Sequence, residues 1–119
     1  MSAAVKKKNW GHTRPVYGGD SHSLYHASIE PGGYSSRHFH GKQNNLFYVV
    51  SGDLLVHFYA DSTGPVTRTT KLTRGDFVMA EAGEWHSFEA ITAVELIELY
   101  AAFALEDDIT RADEGGIKQ

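Results

Sequence analysis

Residues 32–52 read Gly-Gly-Tyr-Ser-Ser-Arg-His-Phe-His-Gly-Lys-Gln-Asn-Asn-Leu-Phe-Tyr-Val-Val-Ser-Gly, and their reading decides the fold. The stretch opens on the turn Pro31-Gly32-Gly33 and closes on Ser51-Gly52-Asp53. Between them, residues 34–40 read as extended, 41–44 as a polar turn and 46–50 as a strand rich in β-formers. Residues two apart in a strand point to one face, with Cα atoms roughly 6.5–7 Å apart. His38 and His40 therefore present two imidazoles together, able to converge on one metal at about 2.0–2.1 Å. Alone, the pair reads equally well as two surface histidines, because the chain has 7 histidines in 119 residues.

Outward from this stretch the chain is a series of short runs separated by turn residues. Residues 23–29 precede it. Residues 54–59 follow Ser51-Gly52-Asp53 at once, which predicts a hairpin with 46–50. Residues 66–72, 77–80, 86–91 and 93–102 complete the set, with turns at 61–65, at Arg74-Gly75-Asp76 and at Gly83. Strands this short, at this spacing, predict an all-β sandwich, barrel or jelly roll. The best helix candidate is 105–113. One domain over residues 1–119 is expected, with a flexible arm at 1–9 carrying Lys6-Lys7-Lys8.

Composition narrows the function classes. The net charge is −4, and a general nucleic-acid binder usually shows a basic face. There are no cysteines, so disulfides and thiolate metal sites are excluded. No segment approaches the roughly 20 apolar residues that cross a bilayer. The expectation is a soluble cytoplasmic protein with neither nucleic-acid nor membrane partners.

Two ordered patterns change the reading of the histidine pair. The first is Gly32, five residues, His38, one, His40, four, Asn45, six, Gly52. The second is Gly75, five residues, Glu81, one, Gly83, two, His86. Each reads as a strand pair with glycines at its turns, and the second would deliver a third histidine against the first two.

These patterns resemble the paired motifs of the cupin superfamily and cover about half the chain. The resemblance implies a double-stranded β-helix, a jelly-roll barrel, with His38, His40 and His86 as metal ligands. The chain departs at Asn45, where most cupins carry a glutamate ligand, at Glu81, usually proline, and at Ala90, often asparagine. A narrower resemblance is to the C-terminal cupin domain of bacterial mannose-6-phosphate isomerase fused to mannose-1-phosphate guanylyltransferase. It is carried by Asn9-Trp10-Gly11, Ile29-Glu30-Pro31-Gly32, the stretch from His40 to Gly52, Ala82-Gly83-Glu84-Trp85-His86, Leu96-Ile97-Glu98 and Glu106-Asp107-Asp108-Ile109-Thr110-Arg111. Those domains usually have glutamine in place of His38 and glutamate in place of Asn45.

Asn45 is then either a neutral oxygen ligand or a hydrogen-bonding turn residue, with Gln43 and Asn44 as substitutes. Three imidazoles with open positions suit Zn and also accept Fe, Ni, Co or Mn. Strict alternation places Tyr34 and Ser36 on the face of His38 and His40. It also places Phe47 and Val49 with Asn45, and Phe88 with His86. The candidate proton-handling residues are Tyr34, His57 and Glu84, with Glu89 beside them. The expected function is a metal-dependent enzyme on a small carbohydrate or sugar phosphate, of isomerase or epimerase type. The alternatives are a metal-dependent dioxygenase or lyase, and a binding module without catalysis. Edge strands and the family resemblance favour a homodimer.

Overall fold

In a computed structural model, residues 4–102 are described. They form nine strands: β1 (Lys6–Lys8), β2 (Gly11–Gly18), β3 (His22–Ile29), β4 (Gln43–Ser51), β5 (Leu54–Tyr59), β6 (Val66–Leu72), β7 (Phe77–Ala80), β8 (Trp85–Ala90) and β9 (Val94–Ala102). A six-stranded sheet in the order β1-β2-β3-β9-β4-β7 packs on a three-stranded sheet in the order β6-β5-β8, and every pairing is antiparallel. This is the expected all-β jelly roll. The helix candidate at 105–113 lies outside the described residues. Among the described residues, no helix is long and apolar enough to cross a membrane.

Alternation sets what each strand buries. Phe47 and Val49 of β4, Leu54, Val56 and Phe58 of β5, and Val94 and Leu96 of β9 are all buried, and their neighbours in sequence face outward. Burying such a side chain stabilises the fold by about 1.5–3 kcal/mol.

Two expectations need correction, and one strand was missed. Residues 46–50 and 54–59 do not pair as a hairpin. β4 joins β9 and β7 while β5 joins β6 and β8, so Gly52 turns the chain from one sheet into the other. β2 carries no clear apolar alternation and holds Pro15 beside a register shift, which hid it from sequence reading. Lys6–Lys8, assigned to an arm, pairs as β1 with Gly11, His12 and Thr13, because β2 would otherwise present an open edge.

The glycines punctuating the two patterns, Gly32, Gly52, Gly75 and Gly83, all have φ between 81° and 92°. Gly52 is the most constrained, since a Cβ there would fall 2.1 Å from the Ala93 carbonyl oxygen. Gly52→Ala is expected to destabilise the protein by about 2 kcal/mol or more, combining left-handed strain with that clash. Urea denaturation checks this; an unchanged midpoint would refute the corner role of Gly52.

Candidate metal centre

The two patterns meet through the backbone. His38 N–H donates to the His86 carbonyl at 3.0 Å, and His86 N–H donates back to the His38 carbonyl at 2.8 Å. One turn further, Gly83 N–H donates to the His40 carbonyl at 2.8 Å. The segment before β4 is thus pinned to the entry of β8, although it forms only isolated bridges, Tyr34↔Glu89 and His38↔His86.

Those bridges explain where strict alternation fails. Tyr34 and His38 are four positions apart, but His86 and Glu89 only three, so the segment carries one extra residue, a bulge at Ser36 and Arg37. The bulge flips the face. Ser35 turns inward, with its N–H on the Phe88 carbonyl at 3.0 Å and its Oγ accepting from Phe88 N–H at 3.0 Å. Tyr34 turns outward and is 72% exposed.

Tyr34 and His57 line a separate outer groove on the three-stranded sheet, with Arg37 and Tyr59. His57 lies between Thr69 Oγ1 at 2.8 Å and Glu89 Oε1 at 3.1 Å. Glu84 sits in the turn before β8, where it accepts from Glu81 N–H at 2.9 Å and faces Arg68 at 4.0 Å. None of these three lines the cavity that holds His38 and His40.

The three histidines do come together. One ring nitrogen from each of His38, His40 and His86 lies within 4.8 Å of the other two. Ring centroids are 4.5 Å apart for His38 and His86, 5.1 Å for His38 and His40, and 5.6 Å for His40 and His86. Two tautomers are fixed by carbonyls, which only accept. His38 Nδ1–H donates to the Ser36 carbonyl at 2.8 Å, and His86 Nδ1–H donates to the Glu84 carbonyl at 2.9 Å. Their Nε2 atoms keep a free lone pair, the form in which a histidine binds metal.

Burial sharpens this. His40 Nε2 and His86 Nε2 are buried with no hydrogen-bond partner, and so are both amide atoms of Asn45. A buried polar atom without a partner costs about 1–3 kcal/mol. Here four such atoms occur together, on β4 of one sheet, on β8 of the other and on the segment pinned to β8. Burial holds the His86 pKa down at about 4, opposed by its bond to the Glu84 carbonyl, with His38 and His40 lowering it further. His40 is lowered by burial and then by His38. Both are neutral at physiological pH, ready to bind a cation. The donor set fits a divalent metal held by three imidazoles, with the Asn45 amide as a further neutral group. Asn44 is otherwise engaged, since its Oδ1 accepts from Ala82 N–H at 2.9 Å. Gln43 lines the cavity.

The cavity beside the histidines has a volume of about 490 Å³. Phe47, Phe88 and Trp10 form apolar walls, and Ser23, Thr13 and Ser36 supply hydroxyls. Sequence reading missed Glu98 and Tyr100, which also line it. Glu98 is 7% exposed, and Tyr100 Oη–H donates to its Oε2 at 2.9 Å. Burial raises the Glu98 pKa, partly offset by the Tyr100 bond and by Lys8, while burial and then Glu98 raise that of Tyr100. Their signal was present in the alternation. Residues 98 and 100 continue the inward set of Val94 and Leu96, so the carboxylate had to face inside.

Comparison with known proteins agrees with this geometry. The family model "Cupin domain" matches residues 25–100. No curated protein sequence matches the chain. Among solved structures, the Lactobacillus farciminis oxalate decarboxylase–formate complex aligns with a TM-score of 0.72 at 23% identity, covering 84% of this chain and 30% of that one. KdgF from Halomonas sp. aligns at 0.71 and 17%, covering 89% and 93%. Bacillus subtilis oxalate decarboxylase, in a structure concerned with its Mn(II) centres, aligns at 0.72 and 18%, covering 90% and 29%. The chain thus spans about 30% of the oxalate decarboxylases it resembles. With two antiparallel sheets, glycine-bounded motifs meeting at His38 and His86, and a family match across most of its length, the chain belongs to the cupin family.

Proposed function

We propose that the protein is a metal-dependent enzyme acting on a small carbohydrate or sugar phosphate by isomerisation or epimerisation, with His38, His40, His86 and Asn45 holding a divalent metal, Zn first. The observation that carries this reading is the pair of buried, unpartnered nitrogens on His40 and His86, in a histidine group whose His38 and His40 line a cavity of about 490 Å³. Bound there, a divalent metal supplies Lewis acidity to a substrate oxygen. The chain's own contribution is to orient the rings through the Ser36 and Glu84 carbonyls, and to exclude water with Phe47 and Phe88. The side chains of Tyr34, His57 and Glu84 take no part in this reading, because none of them lines the cavity. A second reading, a binding module without catalysis, is favoured by Asn45, which leaves the ligand set without a carboxylate.

The reading extends to a homodimer through the outer face of the six-stranded sheet. Leu24, Leu99, Leu46 and Met79 lie in register across four strands, and the adjacent row is His26, Ile97, Tyr48 and Phe77. At about 4.8 Å between strands, the two rows form a flat face about 15 Å wide. Its ionisable side chains are His26, which pairs with Glu95 at 3.0 Å, and the phenol of Tyr48. A flat, uncharged patch suits a second copy related by a two-fold axis, which sets the same rows against themselves.

Three measurements test these statements. Metal analysis of untagged protein should find a stoichiometric divalent metal. Alanine at His38, His40 or His86 should each lower the content tenfold or more, about 1.4 kcal/mol per factor of ten. Loss at only one position would mean the cluster is misassigned. Proton exchange from heavy water into mannose, fructose or their phosphates should be seen with the loaded protein and not with His40→Ala; no exchange with any metal leaves the binding-module reading.

Metal-free protein should gain stability as pH rises from about 4 to 6.5. His86 binds fewer protons folded than unfolded across that window, so acid favours the unfolded chain by about 2–4 kcal/mol. Urea titrations of wild type and His86→Gln against pH check this, and the variant's profile should be flatter.

In sedimentation, the wild type should run as a dimer and Tyr48→Asp as a monomer with its metal content unchanged. A monomeric wild type would dispose of the interface.

A further inference from the structure

Glu98 is a buried carboxylate that nothing in the metal reading uses. It stands on β9 in line with Val94 and Leu96, where an apolar residue would continue the core. Among the described residues, no lysine or arginine forms an ion pair with it. Its hydrogen bond comes from Tyr100, whose ring packs edge-on against His40 at 5.3 Å and against Tyr25 at 5.6 Å. Tyr100 is therefore clamped between the histidine group and β3, and it fixes the carboxylate in turn.

A carboxylate so placed costs stability, because removing charge from water is expensive unless it is paired. A carboxylate offers about four lone-pair sites, and the Tyr100 hydroxyl fills one. Glu98 also lines the cavity that holds His38 and His40. Lys6 and Lys8 also line it, and its two other polar poles have opposite sense. The histidine group is built to hold a cation, which receives a lone pair from a ligand oxygen. Glu98 accepts a hydrogen bond and so asks for a ligand O–H. A ligand satisfying both carries two oxygens, one donating electrons and one donating a proton. The walls between the poles suit its carbon skeleton, since Trp10 and Phe88 meet edge-to-face at 5.1 Å and Phe47 lies beside them.

We infer that Glu98, positioned by Tyr100, is a specificity-determining residue that receives a substrate hydroxyl, and that the substrate is accordingly a small polyhydroxy compound. The inference rests on the proposed metal site only for the fate of the second oxygen.

The test uses metal-loaded full-length protein titrated by calorimetry with D-mannose, D-fructose and D-gluconate. At least one should bind the wild type. Glu98→Gln should weaken that binding tenfold or more, and Tyr100→Phe about threefold, both with unchanged metal content. Glu98→Leu should abolish binding while raising the melting temperature of metal-free protein, a combination that a merely structural residue would not give. The inference is overturned if none of the three probes binds the wild type, if both Glu98 variants bind like wild type, or if Glu98→Gln loses its metal. The metal reading fails separately. If wild type and His40→Ala carry no metal yet binding still depends on Glu98, the metal assignment falls and the role of Glu98 stands.

Discussion

The reciprocal backbone bonds between His38 and His86 are the constraint on which the rest of the structure depends. They join two segments nearly fifty residues apart and set the rings of both histidines on the same inner wall. Because the pairing is antiparallel and doubly bonded, it also fixes the register of everything between Gly33 and His40 against β8. The bulge at Ser36 and Arg37 is absorbed on the far side of that bond. Arg37 seals its outer surface by stacking 3.6 Å over the Tyr59 ring and donating to the Gly64 carbonyl at 2.8 Å. The metal-site geometry is therefore held by main-chain bonds and a braced bulge, and it does not depend on side-chain packing alone.

From this pairing the barrel divides into a solid end and a hollow end. Read along each inner face, polar residues give way to apolar ones. β4 runs Asn45, Phe47, Val49; β8 runs His86, Phe88, Ala90; β9 runs, from its other end, Val94, Leu96, Glu98, Tyr100. The register brings Asn45 opposite Tyr100, and Val49 opposite Leu96. Core packing at the solid end, where Val49, Leu54, Val56, Val94 and Leu96 have no exposed surface, supports unsatisfied polar groups at the hollow one. Close packing of this kind is stiff, and a stiff frame lets buried groups hold positions that they would otherwise relax away from.

How much of this was legible in the sequence follows from the same division. The β-rich runs at residues 54–59, 66–72 and 77–80 became strands at those bounds, since alternation and turn glycines agree there. The histidine group was legible because its spacing is local within each pattern, and only the meeting of the patterns is long-range. Tyr34 was placed on the wrong face because a one-residue bulge inverts alternation and leaves no mark in composition. The hairpin between residues 46–50 and 54–59 was misread because a corner between sheets and a hairpin turn use the same residues, here Ser51-Gly52-Asp53. Glu98 was overlooked although its phase was readable, since charged residues are seldom buried.

A buried group that costs stability is informative when the surrounding sequence shows that an apolar alternative was at hand. Val94 and Leu96 show this for Glu98, and Phe47 and Val49 show it for Asn45. His86 makes the case from its surroundings: it is 1% exposed, with Phe47 at 5.8 Å and Phe58 at 6.4 Å, an aromatic setting that gives its nitrogen no partner. Three positions on three strands turn a buried polar or charged side chain inward, and all lie at the hollow end. If each were an independent accident of packing, they would be scattered through the core, where the solid end offers as many inward positions. Their confinement to one end, around one cavity, is what a shared ligand explains and separate structural roles do not.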